Sequence, residues 1–428
     1  ILYNIFMSYT QIISSLLENI FEKSIKTSSK LLFKKNKHRS DIYQIIEKLI
    51  DTKSNISRVK YAKEFFAMAK ELNTKEFNDL MVNLRDKRDL DTNQLKSCIN
   101  DYIADNSEYN YIKLQEVHAS KRKDLFRKLN CFDEATIYLV NLRRKILANS
   151  SANQNYQKVE NDLKTLFNDW FNRGFLVMKP IDWNTPASIL EKIIKYESVH
   201  QINTWRELRD RIDSSDRRCF AFFHPAMATE PLIFVEVAFL NNIPTNIDTI
   251  LNAGRPPLDE SEVDTAVFYS ISNCQRGLDG ISFGNFLIKD VVTFIEKEIP
   301  SIKNFITLSP APKFMKWIKN KDKELYESLC NKYALEDFEK NQTKLDIYIR
   351  DYLLISDRED GKPNDPVSRF HLGNGASLHR INFMADTSEN SLKKGATFMV
   401  NYKYDSNSIE ENHEKYSRNN EIIKSKKI

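Results

Sequence analysis

Three short stretches of this chain hold side chains suited to chemistry. In the first, Ser309 follows the apolar run Phe305-Ile306-Thr307-Leu308 and precedes Pro310 and Pro312. Each proline fixes its own φ and removes a backbone N–H, so the Ser309 hydroxyl is held rigidly at a strand end, able to donate or accept. The plainer use of such a serine is to cap the following helix. In the second, His371 lies in Arg369-Phe370-His371-Leu372, just before the tight turn Asn374-Gly375. Imidazole titrates near the pH at which enzymes work and can move a proton, though a histidine beside a turn can also serve by bonding backbone. In the third, the loop 275–285 spaces Gly277, Gly280 and Gly284 ahead of an apolar helix. Free N–H groups and the helix dipole both favour an anion there, and glycine supplies donors without bulk, as a diphosphate requires. Glycines in any strand-to-helix turn would look the same.

The elements that position these stretches fall into two kinds. The first 160 or so residues read as successive helices. Val59, Ala62, Phe66 and Ala69 recur at helical spacing, as do Leu139, Leu142 and Ile146. Polar breaks at 51–55 and 105–107 separate the runs, and neither Pro nor Gly occurs before Gly174. This predicts an antiparallel helical bundle that braces a neighbouring domain or an oligomer interface. The character changes near Trp170. A helix is expected over 187–196, and the β-rich runs 219–223 and 231–240 read as a hairpin whose turn contains Pro225. A buried strand is expected at 265–272. After the glycine loop come a helix over 285–298 ending before Pro300, a strand at 304–308 and a short helix at 312–318. Further strands are expected at 380–384 and 396–402, and the residues after Tyr404 read as a polar, mobile tail. Strand, glycine-bearing loop, helix, strand is the order of the acetyltransferase-type (GNAT) fold that binds CoA. The fold class is therefore α+β: an N-terminal all-α helical bundle over 1–166, a GNAT-like mixed α/β catalytic domain over 167–404, and a tail over 405–428.

Bulk properties remove several classes of function. Net charge is only +5, from 64 basic and 59 acidic residues well mixed along the chain. A nucleic-acid binder would carry a stronger basic stripe and a recognisable module. The five cysteines, Cys98, Cys131, Cys219, Cys274 and Cys330, include no C-x-x-C pair, and the seven histidines are scattered. Reduced thiols in a cytosol-like compartment are expected, with no zinc site and no disulfide framework. No apolar run is long enough to span a bilayer. Segment 7–37 is basic and amphipathic but includes Glu18 and Glu22, so a mitochondrial transit peptide is not favoured. The final Ser425-Lys426-Lys427-Ile428 is not a peroxisomal address. The expected location is the cytoplasm, or the mitochondrial matrix in a eukaryote.

Several blocks together resemble one family. Arg217-Arg218-Cys219 through Glu230-Pro231-Leu232, Phe268-Tyr269-Ser270-Ile271-Ser272 and Gly284-Asn285-Phe286-Leu287-Ile288-Lys289 are similar to malonyl-CoA decarboxylases. So are Leu308-Ser309-Pro310-x-Pro312 and Phe370-His371-Leu372-x-Asn374-Gly375-Ala376. The blocks keep the family's order over roughly 167–404, and Trp170-Phe171 with Gly174-Phe175-Leu176 resembles its domain junction. The resemblance implies a carboxy-lyase acting on malonyl-CoA, with Ser309 and His371 as catalytic residues that also contact substrate. It implies CoA contacts from Asp279, Gly280, Ile281, Ser282, Phe283, Gly284 and Asn285. It further implies a homo-oligomer, no metal and no organic cofactor, and no nucleic-acid or membrane partner. Lys313 departs from the pattern, which has glycine after the second proline. Two rival readings remain: an acyl-CoA-dependent N-acyltransferase on the same fold, and a non-catalytic CoA-binding protein. Release of CO2 from malonyl-CoA without an acceptor separates them.

Overall fold

The computed structural model describes residues 41–150, 154–252, 256–281, 283, 287–426 and 428. The segment 7–37 lies outside them. The chain divides into two compact units. The first comprises Ile1–Val177 together with Phe223–Glu230 and Gln275–Phe283, and the second comprises Met178–Phe222, Pro231–Cys274 and Gly284–Ile428.

The first unit is helical, as expected. Its helices are Ile42–Asp51, Asn55–Glu71, Thr74–Lys87, Thr92–Ala104, Glu108–Val117, Lys121–Leu129, Ala135–Ser150 and Gln157–Trp170. Of the two breaks read from sequence, 51–55 supplies the side-chain cap Ser54, whereas Ser107 in 105–107 precedes its helix without a side-chain cap bond. Asp41, Ser54, Asn73, Asp91 and Ser120 each accept a backbone N–H of the helix they precede, and Asn73 forms a reciprocal capping box with Glu76. Ala62, Phe66, Ala69, Leu139, Leu142 and Ile146 are buried, while Val59 is half-buried. Buried Arg122 ties neighbouring helices by donating to the Leu84 and Arg85 carbonyls and to Asp162 at 2.9 Å. The pair Thr92–Ala104 and Glu108–Val117 differs: neither helix buries a residue, and Ile103, Tyr109 and Ile112 are exposed. The boundary expected between 166 and 167 falls inside the helix Gln157–Trp170. That helix continues because Leu163, Leu166 and Phe167 keep its apolar face in the core.

The second unit is built on a mixed sheet. Among the described residues its strands are β1 (Val177–Ile181), β2 (Arg217–Phe223), β3 (Ile233–Leu240), β4 (Thr265–Asn273), β5 (Asn304–Thr307), β6 (Ser309–Pro310), β7 (Ser377–Asn382) and β8 (Met399–Tyr404). Their order is β1-β2-β3-β4-β5-β8-β6, with β7 paired to β8. The predicted hairpin is β2 and β3, and the helix Ala187–Tyr196 is where it was expected. Every residue of β3 is buried, so it is an interior strand covered on both faces. Between β4 and parallel β5 runs the helix Leu287–Glu298, and all five apolar positions read from sequence (Leu287, Ile288, Val291, Val292, Ile295) are buried. Parallel neighbours need such a crossover.

Two of the sheet's irregularities involve β4. Glu236 pairs with Ser270 but Val237 with Phe268, which leaves Tyr269 as an extra residue in a β-bulge. The parallel pairing of β4 and β5 ends at Phe268 and Thr307, with one further bond from Leu308 N–H to the Phe268 carbonyl. Beyond it the two strands part, and Pro310 has no N–H to continue the ladder.

Residues 405–428, expected as a mobile tail, are structured. The helix Ile409–Asn419 buries Ile409, Asn412 and Tyr416, and Leu378 pairs with Lys424 in an isolated bridge. The segment is polar on one face only, and three widely spaced buried positions were too thin a pattern to read.

Candidate active site

In the sheet unit, the strand containing Ser309 is anchored on one side by β8, through Ser309 opposite Val400 and Pro310 opposite Met399. Ser309 follows directly on the end of the β4–β5 pairing, and Pro310, which has no N–H, continues the pairing with β8. Ser309 is not a helix cap, because the next helix, Phe314–Lys321, starts after Lys313 and has no side-chain cap. Lys313 is exposed with φ −120°, a conformation open to any residue, so the loop does not need the glycine of the family pattern.

His371 sits in the last turn of the helix Pro366–Gly373. Asp365 caps that helix through the Ser368 N–H at 2.6 Å, and Pro366 occupies its first turn. The Asn374-Gly375 turn ends it. Gly375 has φ +82°, and a β-carbon there would overlap the Ile409 carbonyl, so only glycine fits. The histidine is thus helical rather than merely turn-adjacent, and its ring is pointed inward by a helix that is capped at one end and jammed at the other.

These two elements bring the predicted pair together. Ser309 Oγ lies 2.9 Å from His371 Nε2. The other ring nitrogen, Nδ1, lies 2.8 Å from the hydroxyl of Tyr404, on β8. The imidazole also stacks on Tyr402, with 4.6 Å between ring centres. His371 is 2 % exposed and Ser309 6 %, so the serine is the member nearer the surface. Among the described residues no carboxylate bonds the ring, and burial pushes the imidazole down to about 3. The expectation that His371 titrates near neutrality is therefore corrected: it is neutral at any ordinary working pH.

Neutrality settles the hydrogen-bond order. The Tyr404 hydroxyl is buried, and Nδ1 is its one partner among the described residues. Donating to Nδ1 is the arrangement that satisfies its hydrogen. The ring proton then sits on Nε2 and is donated to Ser309 Oγ, which leaves the serine's own hydrogen free. Such a serine is a polarised hydrogen-bond donor. It is not the activated nucleophile of a Ser-His-Asp triad, whose carboxylate stabilises the imidazolium. Tyr404 was missed in sequence. Its only signal was the alternation Tyr402, Tyr404 that puts both rings on one face of β8.

The part of the glycine loop from Gln275 to Phe283 belongs to the helical unit, where Gly277 and Gly280 have different reasons. A β-carbon at Gly277 would overlap the Val140 carbonyl, so this residue permits close packing on the helix Ala135–Ser150. Gly280 has φ +74°, and a β-carbon there would meet only the Lys164 ammonium, at 3.9 Å, among the described residues. Asp279 and Gly280 are exposed, Ile281 is buried, and half-buried Phe283 lies edge-on to Phe171 at 6.5 Å. Ser282, Gly284 and Asn285 lie outside the described residues. Among the described residues no cluster of His, Cys, Asp or Glu could hold a metal ion, and no helix is long and apolar enough to cross a membrane.

Comparison with known proteins identifies the family. Residues 89–171 match the malonyl-CoA decarboxylase N-terminal domain and residues 174–428 its C-terminal domain. The chain is 31% identical over 318 residues to the mitochondrial malonyl-CoA decarboxylase of Anser anser anser, covering 65% of this chain and 63% of that protein. It is 30% identical over 330 residues to the Rattus norvegicus enzyme, covering 68% and 67%. It thus spans about two thirds of the length of these relatives. The crystal structure of malonyl-CoA decarboxylase from Rhodopseudomonas palustris superposes with a TM-score of 0.85 at 39% identity, over 90% of this chain and 97% of that one. The corresponding structure from Agrobacterium vitis gives 0.81 at 40%, over 90% and 98%. This chain belongs to the malonyl-CoA decarboxylase family.

Proposed function

We propose that this protein decarboxylates malonyl-CoA to acetyl-CoA and CO2, with Ser309 and His371 as its catalytic pair and no metal or organic cofactor. The observation that carries the reading is the 2.9 Å contact between Ser309 Oγ and His371 Nε2, closed behind by Tyr404. Breaking the bond between the α-carbon and the carboxylate leaves an electron pair that the thioester carbonyl accepts. The substrate is its own electron sink, and the transition state resembles an enolate.

An oriented donor at the carbonyl oxygen or the departing carboxylate is the strongest lever available. The free hydrogen of Ser309 supplies one. The α-carbon then takes a proton from the Ser309–His371 pair, which is replenished from solvent. An enolate is basic enough to accept a proton from a neutral donor, so an imidazole held uncharged is no obstacle. The loop 279–285 holds the CoA end in this reading, supported by the family resemblance and by the exposed, open turn at Gly280.

The test is incubation of purified protein with malonyl-CoA alone in the presence of a chelator, following acetyl-CoA and CO2. The expected result is turnover, with Ser309→Ala and His371→Asn each lowering kcat by about 10²–10⁴-fold while the proteins stay folded. No CO2 without an amine acceptor would favour the N-acyltransferase reading. Wild-type turnover in either variant would remove that residue from the mechanism.

A further inference from the structure

The helical unit does more to the glycine loop than support it. Buried Arg143, on the helix Ala135–Ser150, donates to the Gly277 carbonyl at 2.7 Å and to the Asp279 carbonyl at 2.9 Å. Its guanidinium is held in turn by Glu160, at 2.6 Å, on the helix Gln157–Trp170. A peptide is planar and trans, so fixing a carbonyl fixes the N–H of the next residue on the opposite side. For Gly277 that N–H belongs to Leu278 and is used internally, by the Gln275 carbonyl at 2.8 Å. For Asp279 it belongs to Gly280, whose N–H has no partner among the described residues. The same residue's positive φ turns the chain there, and the space beside it is occupied by one group. The ammonium of Lys164, also on the helix Gln157–Trp170, stands 3.9 Å from where a β-carbon of Gly280 would be. Lys164 is exposed and makes no ion pair among the described residues.

A free N–H held in a fixed direction beside an unpaired cation is suited to a phosphate oxygen. The surrounding charge agrees: Lys164, Arg143 and Arg276 against Glu160, already paired with Arg143, and Asp279. We infer that Lys164 contacts a phosphate of CoA, and that Arg143 positions the Gly280 N–H to share it. The inference rests on the proposed CoA substrate and extends its site to two helical-unit residues that the family motifs do not contain. Phosphate could come from the diphosphate or from the 3′-phosphate, which present the same chemistry.

The experiment is calorimetric titration of the full chain with CoA, dephospho-CoA and pantetheine, at low and moderate salt. Lys164→Ala should weaken CoA binding about fivefold to tenfold, with Lys164→Arg restoring most of it. Wild type should lose more affinity than Lys164→Ala as salt rises. With pantetheine, which lacks phosphate, the variant and wild type should be indistinguishable. A loss that persists with dephospho-CoA assigns the diphosphate, and one that vanishes assigns the 3′-phosphate. Arg143→Lys is the companion variant: in a chain that melts near the wild-type temperature it should weaken CoA and spare pantetheine. Unchanged CoA affinity in Lys164→Ala, or an equal loss on pantetheine, overturns the inference. A wild type that binds CoA through Lys164 but releases no CO2 from malonyl-CoA sinks the decarboxylase reading and leaves this one standing. CO2 release with unaltered CoA affinity in Lys164→Ala does the reverse.

Discussion

At the scale of single residues, the chemistry depends on how thoroughly the protein removes water from one imidazole. Among the described residues His371 has two hydrogen-bonding side-chain neighbours, Ser309 and Tyr404, and neither is a carboxylic acid. Burial lowers its pKa to about 3, so the ring does not change charge across the range in which the protein works. The decarboxylation rate should therefore show no inflection near 6.5, where an exposed histidine would titrate. A kcat profile measured from pH 5 to 8 checks this, and an acid limb centred near 6.5 would mean that the ring is charged in the working enzyme. Tyr404 matters for the same reason, since its hydroxyl selects the ring nitrogen that carries the proton. Tyr404→Phe should reduce kcat by about tenfold or more with little change in KM, because Nδ1 loses the donor that pins its tautomer. Undiminished kcat in that variant would show that the tautomer is set by something else.

At the scale of elements, two glycines with almost the same backbone angle are under different constraints. Gly375 has φ +82° and is jammed against the Ile409 carbonyl, where the C-terminal helix begins. Gly280 has φ +74° and only the flexible end of Lys164 nearby. Gly375→Ala must displace backbone as well as strain it and should cost about 3 kcal/mol or more, whereas Gly280→Ala should cost about 1 kcal/mol. Urea denaturation of the two variants compares them directly. Equal losses would mean that the Ile409 helix yields easily, and the orientation of His371 would then rest on the Asp365 cap alone. The asymmetry connects a segment that reads as a tail to the position of the His371 ring, through one glycine.

At the scale of the whole molecule, the sheet unit has a second buried polar centre whose effect is on stability. Arg211 donates to Glu236 at 3.1 Å, and the nearby carboxylate of Glu197 accepts from Ser270 and from the Val199 and His200 N–H groups. Burial, and then the charge of Glu197, push the Glu236 carboxyl up to about 7. Its ordinary value is 4.5, so between 4.5 and 7 the folded chain binds a proton that the unfolded chain has released. Stability from this group is present at low pH and lost as pH rises through that window. Buried His200, lowered to about 4, acts in the opposite sense, since its contribution is lost as pH falls from 6.5. The Glu236 effect is isolated by difference. Glu236→Gln should gain on wild type by about 1 kcal/mol per pH unit between pH 4.5 and 7, whatever its offset from leaving Arg211 without a carboxylate. A difference that stays constant with pH would mean that Glu236 is ionised throughout.

The sequence by itself determined what repeats locally. Helical spacing without Pro or Gly dictates the helices of the first unit, and β-rich runs around Pro225 dictate the central hairpin. Apolar positions from Leu287 to Ile295 dictate the crossover helix. It also offered the proposed pair, because Ser309 and His371 lie in blocks that resemble one family and each stands beside residues that stiffen or turn the chain. Tertiary structure alone decided the rest. The union of Ser309, His371 and Tyr404 joins three elements, and no local pattern encodes which of two tyrosines on β8 bonds the ring and which stacks on it. The neutrality of His371 follows from the water that folding removes, which no residue type announces. The hold of Arg143 on the loop spans more than a hundred positions. A buried guanidinium reads in sequence as one more surface charge until packing shows which carbonyls it satisfies.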